Sequence, residues 1–224
     1  MLFRSDCLPL ADVPVSGADQ VIGNRAYGDT PEQVAAVAQA VTDGLAEGGV
    51  LPVLKHIPGH GRANADSHLA LPTVSADRAT LERTDFAAFK PLNRLPMAMT
   101  AHVVFNAIDP VSPATTSATM IAEVIRGFIG FGGLLMSDDV SMNALSGTLA
   151  ERTRASLKAG CDVALHCNGK MDEMQQVAAE SPELSGKAAE RASAALASRK
   201  PAVSIDLAQA RKDFATMMAG QVSA

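Results

Sequence analysis

The sequence predicts an α/β protein built as a (β/α) barrel of TIM type, with additional helices towards its carboxyl end. Two observations carry that prediction. Short apolar runs at residues 50–54, 96–101, 133–136 and 161–165 alternate with amphipathic helical stretches; continuously apolar strands belong to a parallel sheet covered by helices. Polar residues then close those runs, as in Lys55-His56, Ala101-His102, Ser137-Asp138-Asp139 and His166, which is where barrels present their reactive groups. A doubly wound sheet would favour one glycine-rich phosphate loop after its first strand, and the sequence contains none. About five strands are legible where a closed barrel has eight. The expectation is therefore an N-terminally incomplete barrel over residues 1–170, with 171–224 a helical segment of the same domain.

Taken in order, residues 6–13 read as the tail of a strand entering a loop. Residues 16–29 are rich in glycine and polar side chains and hold the turn Ile22-Gly23-Asn24-Arg25. Thr30 offers an N-cap, Pro31 the first helical position and Gln33 the reciprocal half of a capping box. Val34, Val37, Ala38, Val41 and Leu45 then share a helical face that ends at Gly48-Gly49. The strand after it delivers Lys55 and His56. A helical region at 78–89 precedes a strand at 96–102. Ser117 caps a helix carrying Ile121, Val124, Ile125 and Phe128, and the strand at 133–139 ends in two carboxylates. A helix at 149–158 leads to a strand at 161–166. Beyond Met171 the chain is alanine-rich and helical, with a break at Lys200-Pro201 before a last helix near 206–218.

Composition narrows the function. With 224 residues, 47% hydrophobic and 19% charged, the chain has the make-up of a globular protein with a substantial core. A formal net charge of −5 argues against nucleic acid or an anionic membrane as partner. No apolar run is long enough to span a bilayer, and the first residues lack the apolar stretch of a signal peptide. Three cysteines, Cys7, Cys161 and Cys167, make neither a paired framework nor a zinc spacing and read as small buried hydrophobes. The expectation is a cytoplasmic, cofactor-free monomer acting on a small molecule.

Four groups could do chemistry. Asp138 and Asp139 are adjacent in a strand, so their side chains point oppositely and one can face the barrel mouth; equally, both could cap the loop or helix that comes after the strand. Asp66 and His68 are spaced so that a carboxylate can fix the tautomer of an imidazole and stabilise its charged form; equally, they could be a solvated loop pair. Lys55, beside His56, could be a nucleophile or a hydroxyl-binding cation, and Arg25 a ligand clamp or a surface side chain. His56, His60, Asp66 and His68 offer metal-ligand types, but Pro58 and Gly59 interrupt any helical ligand spacing, so no metal is expected. His166 reads as a satisfied core histidine.

The ordered set Lys55-His56-Ile57-Pro58-Gly59-His60-Gly61, Asp66-Ser67-His68 and Ser137-Asp138-Asp139 resembles the bacterial β-N-acetylglucosaminidases of glycoside hydrolase family 3. The resemblance extends through Arg25 and Ala101-His102, to about residue 170. It implies a retaining hydrolase with Asp138 as nucleophile, His68 as general acid/base and Asp66 as its dyad partner. It also implies that Arg25, Lys55 and His56 bind the sugar, a terminal β-linked N-acetylglucosamine from muropeptides recycled in the cytoplasm. A phosphorylase using the same residues and a non-catalytic sugar-binding remnant are the alternatives. The sequence has no Trp and one Tyr, so the aromatic platform common in sugar sites is scarcely supplied.

Overall fold

The computed structural model describes residues 4–220. Five strands form one parallel sheet: β1 (Ser5–Asp6), β2 (Leu51–Ile57), β4 (Met97–Thr100), β6 (Leu134–Asp139) and β7 (Val163–Leu165), in the order β1-β2-β4-β6-β7. Register is set by pairs such as Leu54 with Ala98 and Ala98 with Leu135. Every strand in this sheet runs the same way, so all carboxyl ends meet on one rim. Two short strands, β3 (Thr73–Val74) and β5 (Val104–Phe105), pair in parallel beside it; residues this few leave no periodic signal to read.

Alternation of side chains along a strand gives the sheet two apolar faces. Leu54, Ile57, Ala98 and Leu135 pack outward against Val34 and Ala38 of α1 (Pro31–Glu47), Phe89 and Leu92 of a 3₁₀ turn, and Ile121, Val124 and Ile125. Leu51, Val53, Met97, Met99 and Leu134 point to the other face. There they meet Ala195 and Ala192 of helix α5 (Gly186–Ala197). Burial on both faces is why these strands read as unbroken apolar runs.

Helix α5 decides where the inner face is covered. Arg191 reaches Asp162, just ahead of β7, at 2.7 Å, and the same carboxylate accepts from Arg126 at 2.9 Å and the Leu135 N–H at 2.8 Å. These partners lie at the amino ends of β6 and β7, so α5 seats at that end and leaves the carboxyl rim open.

Several local expectations need correction. Thr30 accepts from the Gln33 N–H as expected, but the Gln33 side chain accepts from Asp29 N–H, one residue before the N-cap. The buried stripe of α1 is Val34, Ala35, Ala38 and Thr42, while Val37 is 38% exposed: the stripe lies one residue round from the anticipated face. The 78–89 helix is interrupted. It forms α2 (Arg78–Arg83), then a 3₁₀ segment, Ala87–Leu92, which accommodates Pro91. Residues Met120–Phe128 adopt π-helical hydrogen bonding, preceded by Ser117, whose hydroxyl accepts from the Met120 N–H as a cap should. Helix α3 (Leu149–Ala159) carries a full Thr148/Glu151 capping box, and α4 (Met171–Glu180) packs beyond it. Helix α6 (Leu207–Gly220) buries no residue. No described helix is long and apolar enough to cross a membrane.

Candidate active site

At the carboxyl rim the strand ends enclose a cavity of about 220 Å³ lined by Arg25, Lys55, His56, His60, Ser67, His68, Asp138, Cys7 and Cys167, with Val21, Ile22, Met99 and Leu165 as its apolar walls. Residues scattered from 7 to 167 thus share one small space. Five of the six predicted site residues line it, and the sixth, Asp66, is bonded to His68. A roomier cleft of about 500 Å³ lies at the opposite end of the sheet beside Arg191, but no carboxylate, imidazole or thiol lines it.

Asp138 is presented by β6 and held through its backbone. Its N–H donates to the Thr100 hydroxyl at 3.3 Å; Thr100 and Thr115 hydroxyls meet at 2.8 Å; and Thr115 lies 2.7 Å from His102 Nδ1. His102 Nε2 donates to the Asp139 carbonyl at 3.0 Å, so Nδ1 of the neutral ring is the acceptor. Burial pushes the His102 pKa down, which suits that neutral role. Asp139 turns away, accepting from the N–H and hydroxyl of Ser141 at 2.9 and 2.7 Å. The adjacent acids therefore divide as strand alternation requires: one at the cavity, one capping a loop.

Asp66 and His68 form a closed local pair. One carboxylate oxygen of Asp66 accepts both the His68 N–H and His68 Nδ1, each at 2.8 Å. The His68 backbone N–H holds the Asp66 carboxyl below the usual carboxylate range, with the ring adding to it. An ionised carboxylate only accepts, so Nδ1 carries the proton and Nε2 is left for another partner. The His68 side chain is 65% exposed, whereas its backbone is docked: the Ala144 N–H and the Asn143 side chain donate to the carbonyls of Ser67 and His68.

The Lys55-His56-Ile57-Pro58-Gly59-His60-Gly61 turn is buried rather than a free flap. Gly61 lies so close to the Val13 carbonyl that an added Cβ would sit 2.0 Å from its oxygen, and Gly59 takes a φ of +143°. Arg62 fastens the far end through Asp85 at 2.9 Å and Thr84. Both Lys55–His56 and Ile57–Pro58 peptides are cis. Arg25 lines the cavity, but its guanidinium folds back onto the Val21 carbonyl of its own turn.

Sequence reasoning gave no role to Asp12 or Ser67 and weighed His60 only as a metal-ligand type. Asp12 is wholly buried and accepts from His56 Nδ1 at 2.8 Å and the His60 N–H at 2.6 Å. His60 Nε2 lies 3.1 Å from the Ser67 hydroxyl, and its ring meets His56 edge-on. No local pattern marks Asp12; its partners are 44 and 48 residues away. Two smaller expectations fail. Cys7 and Cys167 are exposed, only Cys161 being buried, because they follow the edge strands at the cavity. His166 is not a satisfied core ring: its Nε2 pairs with Glu173 at 3.0 Å while Nδ1 is buried without a partner. Among the described residues, no group of three His, Cys, Asp or Glu side chains could hold a metal ion.

The sequence profile of the glycosyl hydrolase family 3 N terminal domain matches residues 4–196. The chain belongs to glycoside hydrolase family 3. Among its relatives, a beta-hexosaminidase of Alkalilimnicola ehrlichii is 46% identical over 156 residues, 68% of this chain and 44% of that protein. The chain spans about half the length of the curated relatives it matches. Two solved structures superpose closely. A glycoside hydrolase family 3 β-N-acetylglucosaminidase from a Paenibacillus strain has a TM-score of 0.78 at 29% identity, covering 91% of this chain and 42% of that one. NagZ of Neisseria gonorrhoeae, solved in complex with N-trifluoroacetyl-D-glucosamine, has a TM-score of 0.76 at 34% identity, covering 92% and 58%. The half-barrel of parallel strands and outer helices is that of a family 3 N-terminal domain.

Proposed function

We propose that this family 3 chain acts as a β-N-acetylhexosaminidase, removing terminal β-linked N-acetylglucosamine by a retaining double displacement, in the cytoplasmic recycling of cell-wall muropeptides. The observation that carries the reading is the cavity itself. It brings a strand-end carboxylate, an imidazole tethered to a second carboxylate, and the cations Lys55 and Arg25 within one sugar-sized space. The relatives' names support the sugar class.

In this mechanism Asp138 attacks the anomeric carbon, and the bond from that carbon to the leaving oxygen breaks. His68 delivers its Nε2 proton to that oxygen. Water then attacks the glycosyl–Asp138 ester, His68 recovers a proton from it, and the carboxylate of Asp138 departs. An imidazole in place of a second carboxylic acid avoids like-charge repulsion with Asp138 and suits proton transfer near neutral pH. Asp66 stabilises the imidazolium of the resting donor. Lys55, His56 and Arg25 bind sugar hydroxyls, Arg25 after leaving the Val21 carbonyl.

The test is release of the aryl group from 4-nitrophenyl N-acetyl-β-glucosaminide. Asp138→Ala abolishes it, and His68→Ala lowers it by about 10²–10⁴-fold. Normal turnover by either variant overturns the assignment.

A further inference from the structure

Two of the imidazoles lining the cavity are each paired with a carboxylate behind them, and the pairs are built differently. Asp66–His68 is local and largely exposed, open to water and able to exchange protons. Asp12–His56 is sealed: Asp12 has no exposed surface and His56 is 8% exposed. Asp12 sits on the stretch after β1 that runs beside β2, where Ala11 N–H donates to the Lys55 carbonyl at 2.7 Å. Every hydrogen bond to its carboxylate comes from one turn: His56 Nδ1 at 2.8 Å, the His56 N–H at 3.3 Å and the His60 N–H at 2.6 Å. A buried carboxylate is tolerated only when so satisfied. Burial alone would raise its pKa, yet the His56 and His60 contacts bring it below the usual value, so the group is an anion.

We propose that Asp12 is the positioning residue that fixes the tautomer and orientation of His56, so that His56 Nε2 alone faces the sugar. The inference rests on the hexosaminidase reading only for the identity of the ligand. Because a carboxylate cannot donate, Nδ1 of His56 must carry its proton. The opposite nitrogen is then the only polar ring atom presented to the cavity, and in the neutral ring it accepts a hydrogen bond from a sugar hydroxyl. The second bond, from the His60 N–H, sets the depth of the same turn and so the height of His56 above the strand end. Asp12 never touches the sugar; it acts through His56.

The test has an arm that needs no activity. In the 15N-histidine-labelled chain, two-bond 1H–15N correlations give the tautomer of each ring, with His56 assigned by loss of its signals in His56→Ala. The wild-type ring is expected as Nδ1–H. An Nε2–H ring in the wild-type chain overturns the proposal, whether or not any variant folds. Asp12→Asn, whose amide offers a donor where the carboxylate only accepted, is expected to lose that fixed tautomer. With 4-nitrophenyl N-acetyl-β-glucosaminide it should lose about 10–100-fold in kcat/KM, mainly through KM, the loss expected when a hydrogen bond to a charged group is removed. The double variant Asp12→Asn/His56→Ala should be no worse than His56→Ala alone. Unchanged KM with the tautomer retained, or losses that multiply in the double variant, contradict the proposal. Absence of turnover in the wild-type chain would instead remove the hexosaminidase reading and leave the ring measurement to decide Asp12.

Discussion

Asp138 and His68 reach one cavity from different supports, and the difference separates what their loss should do. Asp138 hangs from a strand end whose peptide is tied to Thr100 and, through Thr115 and His102, to the Asp139 carbonyl. Removing its carboxylate leaves that frame intact, so Asp138→Asn should fold normally and lose turnover by on the order of 10³-fold or more. His68 depends on Asp66 for its tautomer, and Asp66→Asn should cost turnover with little change in thermal stability, since both side chains lie at the surface. Circular dichroism beside aryl-glycoside kinetics separates the two effects. These residues were legible because each lies within a short motif: Lys55-His56, Asp66-Ser67-His68 and Ser137-Asp138-Asp139. Asp12 was not, because its partners lie 44 and 48 residues away, and the meeting of Thr100 and His102 at Thr115 was not, because Thr115 comes from a separate 3₁₀ turn.

At the scale of elements, the central strands were readable, while the two-residue strands β3 and β5 and the form of several helices were not. Strands buried on both faces advertise themselves as apolar runs. The π-helical stretch and the break near Pro91 depend on packing that a hydrophobic period does not record. Least predictable was α5, whose alanines cover the inner face of the sheet; an alanine-rich helix gives little directional signal. Two substitutions probe these joints. Gly61→Ala must move the Val13 backbone or the turn itself, and should destabilise the chain by about 1–3 kcal/mol through overpacking. Asp162→Ala strands Arg126 and Arg191 and should cost about 2–3 kcal/mol, below the value for a fully buried pair because both arginines keep some solvent contact. Urea midpoints measure both, and a shift indistinguishable from zero for Asp162→Ala would mean that α5 is held by its alanines alone.

For the molecule as a whole, the buried histidines set how stability responds to pH. Burial depresses the pKa of both His60 and His102 below the ordinary 6.5. Between those depressed folded values and about 6.5 the unfolded chain binds the extra protons, so stability falls as pH drops through that window. Each ring contributes a slope of up to about 1.4 kcal/mol per pH unit. Asp12, depressed instead from 3.8, stabilises the fold above that value, and its contribution is lost only as pH falls through the folded pKa. Urea unfolding should therefore weaken from pH 7.5 to 5.5, well before the carboxylates titrate; a flat profile there would show that these rings are charged when folded. The same architecture leaves the candidate site accessible: α5 covers the amino end of the sheet and the carboxyl rim stays open. In the proposed mechanism Asp138 bonds to the anomeric carbon of the sugar. Intact-mass and peptide mass spectrometry of the chain quenched during turnover of 4-nitrophenyl N-acetyl-β-glucosaminide reads that bond. An N-acetylhexosaminyl adduct is expected on the peptide bearing Asp138 and absent in Asp138→Asn; turnover with no adduct, or an adduct on another residue, rules out Asp138 as the nucleophile.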